Sequence, residues 1–255
     1  MSRRSWLLAV GPFIGLALVI ALFAVMSGAP DRYLSANNLR VVLAQTVIVA
    51  LGAIGMTLII VGGGIDLSVG STIALTSVIA ALGIRSGGAP AMACLWAVLT
   101  GGLVGLLNAM AITRLKVVPF IATLGMLGVA RGVAKWLADQ QTVNMAPTWV
   151  NDLAVTFPNP EWLIFAPGVW ISVVLALLMA VVLRNTVFGR RVFALGSNEA
   201  AARACGIATD RLKLMIYTLA GLFFGLAGVM QRSRLRQGSA WDRSPPVPRS
   251  FSWHG

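Results

Sequence analysis

The chain has 255 residues, 58% of them hydrophobic and 11% charged, with 20 Lys and Arg against 8 Asp and Glu for a formal charge of +12. A soluble domain carries about 25% charged residues, and a disordered chain needs low hydrophobicity, so this composition excludes both. What remains is a polytopic membrane protein.

In chain order the apolar stretches are Trp6–Met26, Val41–Gly62, Leu67–Ile84, Met92–Ile112, Val118–Leu137, Trp162–Leu183 and Leu214–Met230. Most approach the roughly 20 residues a helix needs to cross about 30 Å of hydrocarbon. None shows the alternating segments of about 10 residues that build a β-barrel. The first stretch follows Arg3 and Arg4 as a secretory signal does. Its apolar core exceeds the roughly 7–15 residues of a signal, and no small-x-small site closes it convincingly, so it reads as a retained span. The expected fold is an all-α helical bundle with about seven spans.

Orientation follows from Lys and Arg in the short loops. With the N-terminus in the cytoplasm, the inner segments carry Arg3, Arg4, Arg114, Lys116, Arg184, Arg190, Arg191, Arg203, Arg211 and Lys213. The outer loops carry Arg32, Arg40 and Arg85, and the 138–160 loop has neither Lys nor Arg. A re-entrant third stretch would put the basic 184–213 segment outside, against this bias. Arg131, Lys135 and Asp139 recur at i, i+4 and i+8 near the outer end of the fifth span. That spacing suits snorkelling with a local ion pair, or a polar cavity wall.

The membrane-embedded portion thus runs over 1–230, with a cytoplasmic segment at 184–213. Residues 231–255 turn abruptly to Arg, Ser and Pro, and Pro245, Pro246 and Pro248 forbid a helix there, so this tail is expected to be disordered.

Catalytic chemistry has little to work with. Cys94 lies in a span and Cys205 in a cytoplasmic segment, so they do not pair. His254 is the lone histidine, which excludes a Ser-His triad and a multi-histidine zinc site. No G-x-x-x-x-G-K-[ST] is present to cradle ATP. No metal ion, cofactor or nucleic acid is called for.

Gly62-Gly63-Gly64 instead weakens a helix at membrane depth and frees backbone groups to line a cavity. The break leads into Gly64-Ile65-Asp66-Leu67-Ser68-Val69-Gly70-Ser71, where Asp66 lies between two apolar stretches with no loop to solvate it. A carboxylate there costs a few kcal/mol on insertion scales and needs a partner or a wet cavity. A helix cap by Asp66 or Ser68 is an alternative compatible with function. Gly11/Gly15, Gly101/Gly105 and Gly221/Gly225 form G-x-x-x-G pairs that permit close helix approach, and Asn108 suits an interhelical hydrogen bond.

In the 184–213 segment, Ser197 or Asn198 can cap a short helix over Glu199–Cys205, closed by Gly206 in the left-handed region. Such a helix has too little apolar surface to be core. It reads as a surface knob for a cytoplasmic partner, or as a helix lying on the membrane.

Three runs together resemble the ribose-type sugar ABC transporter permeases: Gly55-Met56-Thr57-Leu58 through Ser71; Gly105 through Asn108, Thr113, Arg114, Lys116, Pro119-Phe120-Ile121, Thr123-Leu124-Gly125-Met126 to Ala130-Arg131-Gly132; and Phe188-Gly189-Arg190 through Gly196, Asn198-Glu199-Ala200-Ala201-Ala202-Arg203, Gly206-Ile207, Lys213, Tyr217 and Gly221 to Ala227-Gly228. They cover most of 45–230 in the family's order.

The resemblance implies a multi-pass subunit of the bacterial inner membrane, embedded in lipid, that pairs with a second permease subunit. A cytoplasmic ABC ATPase dimer would bind inside, and a periplasmic sugar-binding protein would deliver solute outside. By the same analogy Gly64, Asp66, Ser68, Gly70 and Asn108 lie near the translocation pathway. Gly196, Asn198, Glu199, Ala201, Arg203, Gly206 and Ile207 form the ATPase-coupling helix, and the chain itself performs alternating access without covalent chemistry.

Family members continue past Ala227-Gly228 with further spans, whereas agreement here fades after Leu235. The tail has the composition of a G+C-rich gene read in a shifted frame, so a truncated or frameshifted permease is expected. Re-reading the DNA from codon 230 in the other frames should then recover apolar spans. The sequence does not name the sugar. A permease for another solute, such as branched-chain amino acids, is the rival within the class. An ion-coupled secondary transporter would have Asp66 alone as its intramembrane site, and a membrane-embedded enzyme lacks any supporting constellation.

Overall fold

A computed structural model describes residues 3–141, 143, 148–155 and 164–235. The tail beyond Leu235 and much of the 138–160 loop fall outside the described residues. The elements are α1 (Arg3–Met26), α2 (Pro30–Tyr33), α3 (Ala36–Val61), α4 (Val69–Arg85), α5 (Pro90–Thr113), α6 (Pro119–Leu137), a 3-10 turn (Trp149–Ala154), α7 (Pro167–Asn185), α8 (Val187–Ser197), α9 (Glu199–Ala204) and α10 (Thr209–Leu235). Among the described residues there is no strand.

Helix starts follow local chemistry. Pro90, Pro119 and Pro167 open α5, α6 and α7, where the missing N–H is one the helix could not pair anyway. Five helices, α3, α5, α6, α7 and α10, are long and apolar enough to cross a membrane. The apolar part of α1, Phe13–Met26, and α4, with 17 residues, are shorter. The chain is thus a polytopic helical membrane protein. The third expected stretch yields a short α4 because residues 62–68 are spent on the break that precedes it.

The chain divides into two units, Met1–Leu43 and Ala44–Gly255. In the first, Asn38 Nδ2 donates to Tyr33 O at 2.7 Å and its N–H donates to Ser35 Oγ at 3.2 Å, turning α2 into α3.

In the second unit α10 is the central helix, packed along α5 and α4. Its Ile216, Tyr217, Ala220 and Phe224 bury against Leu51, Leu58 and Ile59 of α3, Ala109 and Ile112 of α5, and Val192 and Leu195 of α8. Two of the glycine pairs read from the sequence meet one another. A Cβ on Gly101 would strike Gly221 O and Gly225 Cα, and one on Gly221 would strike Gly101 O. Lipid tails are as apolar as side chains, so this backbone-to-backbone fit supplies the dispersion contact that holds α5 to α10. Gly228 also approaches α4 closely, where a Cβ would strike the Thr76 hydroxyl and lie 2.8 Å from Ile73 O.

At one end of this unit, the 3-10 turn is tied to the end of α10: Ala154 N–H donates to Ser233 Oγ at 3.1 Å, and Ser233 Oγ donates to Asn151 O at 3.2 Å. The opposite end gathers the break after α3, the α5–α6 connection and the 185–209 corner. There Thr186 caps α8 by accepting from Gly189 N–H at 3.2 Å, and a Cβ on Gly189 would collide with Leu183 O.

Of the expected face, Arg131 and Lys135 share one side of α6, but Asp139 lies beyond the helix end. Helix α6 ends at Leu137, Asp139 turns away with φ +48°, and no ion pair joins these side chains among the described residues.

Candidate functional site

Helix α3 stops at Val61 because the glycines after it let the chain wind into a left-handed cap. Gly63 has φ +79°, and Gly64 N–H reaches back to Ile59 O at 2.9 Å, closing a Schellman-type end. Gly64 admits no side chain, since a Cβ would lie 2.5 Å from the Tyr217 hydroxyl oxygen. That hydroxyl donates to Ile65 O at 3.4 Å. Tyr217 is eight residues past Thr209, the start of α10, or about 12 Å along the helix axis. The Tyr217 contact therefore lies about two turns along α10 from the end of the unit that carries the 185–209 corner.

Beyond the break sits Asp66, 2% exposed and without a basic partner among the described residues. Neutral donors satisfy it instead. Asp66 Oδ1 accepts from Ser68 N–H at 2.7 Å and from Ser68 Oγ at 2.6 Å. Asn108 Nδ2, from α5, donates to Asp66 Oδ2 at 3.3 Å and to Ser68 Oγ at 3.0 Å. Leu67 N–H donates to Thr123 Oγ1 of α6 at 3.2 Å. The Asp66 bonds tie this irregular segment to α5, the Leu67 N–H ties it to α6, and the Tyr217 hydroxyl ties it to α10.

Each expected residue can now be placed. Gly64, Asp66, Ser68 and Asn108 converge, and Asn108 makes the interhelical bond its position suggested. Gly70 does not join them; it is exposed in the first turn of α4 with nothing within 4 Å of its would-be Cβ. The capping reading needs correction: Asp66 binds the N–H of Ser68 itself in an Asx turn, and the Ser68 side chain makes no cap bond. Thr72 and Thr123, both fully buried, were not singled out as site residues, because hydroxyls on apolar helices carry no distinctive spacing. Thr72 Oγ1 and Asn108 Oδ1 remain buried without a partner.

The second cluster is the 196–213 corner. Asn198 caps α9 by accepting from Ala201 N–H at 3.0 Å. Gly206, with φ +80°, closes it as Ile207 N–H reaches Ala202 O at 3.1 Å. Asn198, Ala201, Arg203 and Gly206 are exposed, whereas Ala202 is buried and Ile207 packs on the core. An ionic chain holds the knob in place. Lys213 Nζ meets both Glu199 oxygens at 2.7 Å, Arg203 bridges Glu199 at 3.2 Å and Asp210 at 3.4 Å, and Asp210 meets Lys116 at 3.6 Å. The hydrogen bond from Lys213, with burial opposing and Arg203 adding, holds the Glu199 carboxyl below its ordinary range.

These clusters adjoin. A cavity of about 340 Å³ lies between them, walled by Gly62–Gly64 on one side and Gly196–Glu199 on the other, with Lys213 and Tyr217. No cluster of His, Cys, Asp and Glu able to hold a metal occurs among the described residues.

A bundle of long apolar helices with a break after α3 and a capped corner beside it is the architecture of a helical membrane protein. Residues 38–244 match the family described as branched-chain amino acid transport system / permease component. The ribose import permease protein RbsC of Escherichia coli (strain K12) is 36% identical over 234 residues, covering 91% of this chain and 71% of that protein. RbsC of Bacillus subtilis (strain 168) is 37% identical, covering 89% and 69%. The autoinducer 2 import system permease protein LsrC of Photorhabdus luminescens is 32% identical, covering 86% and 65%. No solved structure matches. The chain belongs to the ribose-type ABC permease family and is a multi-pass protein of the inner membrane.

Proposed function

We propose that the chain is the permease subunit of an importer that moves a ribose-type monosaccharide by ATP-driven alternating access. The observation that carries this reading is the junction of a polar, broken-helix segment with a capped, exposed corner in a chain so similar to ribose import permeases. Uniform apolar helices have no reason to keep a carboxylate at Asp66, whereas a pathway for a polyhydroxyl solute does. Gly64, Asp66, Ser68 and Asn108 then border that pathway, with Gly70 at its edge. The corner of Gly196, Asn198, Glu199, Ala201, Arg203, Gly206 and Ile207 carries the coupling helix.

In this reading seven spans run with the N-terminus inside, a second permease subunit completes the pathway, an ATPase dimer seats on α9, and a periplasmic binding protein delivers the sugar. Hydrolysis belongs to the ATPase, not to this chain. Family description favours one second reading, a branched-chain amino acid as the solute.

The test is uptake in proteoliposomes holding the permease, its ATPase and its binding protein, offered ribose or leucine. Ribose uptake that needs ATP supports the proposal, and leucine uptake supports the second reading. Glu199→Lys with Arg203→Glu reverses the charges on α9. Undisturbed ATPase association in that variant would argue against the coupling role.

A further inference from the structure

The break and the corner do more than share a cavity: their backbones touch. Gly196, the penultimate residue of α8, presents its Cα to the end of α3. A Cβ on Gly196 would collide with Val61 O and lie 3.1 Å from Gly63 N, and a Cβ on Gly63 would lie 3.3 Å from Gly196 Cα. No side chain stands between the two segments here. Two residues past Gly196 is Asn198, the cap of α9, and three residues past Gly63 is Asp66, the hub of the polar network.

Backbone contact of this kind transmits displacement stiffly, because it contains no rotatable side chain that could absorb it. Beyond the buried Ala202 and the core-packed Ile207, α9 is also held by its ionic chain to Lys213 and Asp210, which is partly exposed and compliant. The cavity beside the contact leaves room for the corner to move without repacking a filled core. We infer that Gly63 and Gly196 form a mechanical joint through which motion of the α8–α9 corner is delivered to the broken helix, making both positioning residues for transport. The inference rests on the reading of α9 as the ATPase-coupling element. Its new content is the route, which runs through the Gly196 backbone to Gly63 and on to Asp66, and not through the α9–α10 ion pairs.

The experiment uses the complete importer in proteoliposomes and reads solute moved per ATP hydrolysed. Gly196→Ala is expected to lower that ratio at least fivefold with the ATPase still co-purifying. Lys213→Met, which cuts the ionic route, should change it less than twofold. An unchanged ratio in Gly196→Ala, or a larger fall in Lys213→Met, overturns the joint.

If Gly196→Ala fails to accumulate, a reversible tie decides. Gly62→Cys and Ser197→Cys, both lining the cavity, are bridged by a short bis-methanethiosulfonate, each end forming a disulfide with loss of methanesulfinate, after Cys94→Ser and Cys205→Ser; dithiothreitol cleaves the bridge. The bridge should leave uptake near full rate, because it ties two segments that already move as one, whereas a bridge that abolishes uptake, with cleavage restoring it, overturns the joint. Failure of the underlying reading looks different: the α9 charge reversal would then leave uptake untouched. Failure of the joint alone would leave the charge-reversal defect intact.

Discussion

Lys213 Nζ stands 2.7 Å from both carboxylate oxygens of Glu199, so a residue of α9 is clamped to the first turns of α10. The clamp orients a helix of only six residues, too short to persist by its own propensity.

A pH dependence follows. The Glu199 carboxyl is held below its ordinary value of 4.5, chiefly by the Lys213 hydrogen bond. A depressed acid stabilises the fold above its unfolded-state value, and that contribution is lost as pH falls through the folded value. Protection of the 198–207 amides, corrected for intrinsic exchange, should therefore hold from pH 7 to 5 and fall below pH 4.5. Lys213→Met should lower that protection at pH 7 without melting the helix, which the Asn198 cap and buried Ala202 still hold; equal protection at both pH values would contradict the clamp.

Removing the acceptor at the break is costlier. Asp66→Ala strands the Ser68 N–H and the Asn108 amide in a buried site, at about 1–3 kcal/mol per donor. A loss on the order of 3 kcal/mol is expected in thermal unfolding of the detergent-solubilised protein. Asp66→Asn should be milder, because it retains an acceptor oxygen and Asn108 can turn over to present its unpartnered Oδ1.

The glycine seam should tolerate nothing larger. Gly221→Val or Gly105→Val drives a side chain into the facing backbone and should cost at least about 3 kcal/mol, the top of the usual overpacking range. Gly125→Val on α6, with nothing within 4 Å, should stay within about 0.5 kcal/mol. Similar losses at both sites would show that α5 and α10 do not meet as described.

The outermost ion pair should matter least. Lys116 and Asp210 lie 3.6 Å apart with side chains 67% and 46% exposed, the setting in which pairs are worth about 0–1 kcal/mol. Lys116→Ala should leave the melting temperature nearly unchanged, and a large drop would mean that the loop does more than the pair suggests.

Much of this was readable in advance. The apolar runs marked every long helix to within a few residues, since burial in lipid requires composition alone. Asn198 and Gly206 marked the ends of α9 because caps are local chemistry. Tyr217 is different. It appeared in the sequence only as part of a family pattern, and its hydroxyl contact with Ile65 joins residues 152 positions apart. Thr123 likewise stood only in the family pattern, and nothing in the sequence marks Thr72.

By itself, then, the sequence determined a membrane protein of long apolar helices, a glycine break, a carboxylate that had to be solvated and a short capped helix. Each is written in the properties of neighbouring residues. Tertiary structure decided which surfaces meet: that Gly101 and Gly105 seat on Gly221 and Gly225, that Asn108 supplies the donor to Asp66, and that Gly196 rests on the end of α3. Periodicity and composition carry no information about the partner across a helix interface. Only close packing in three dimensions selects it, because small residues permit many approaches and the folded bundle realises one.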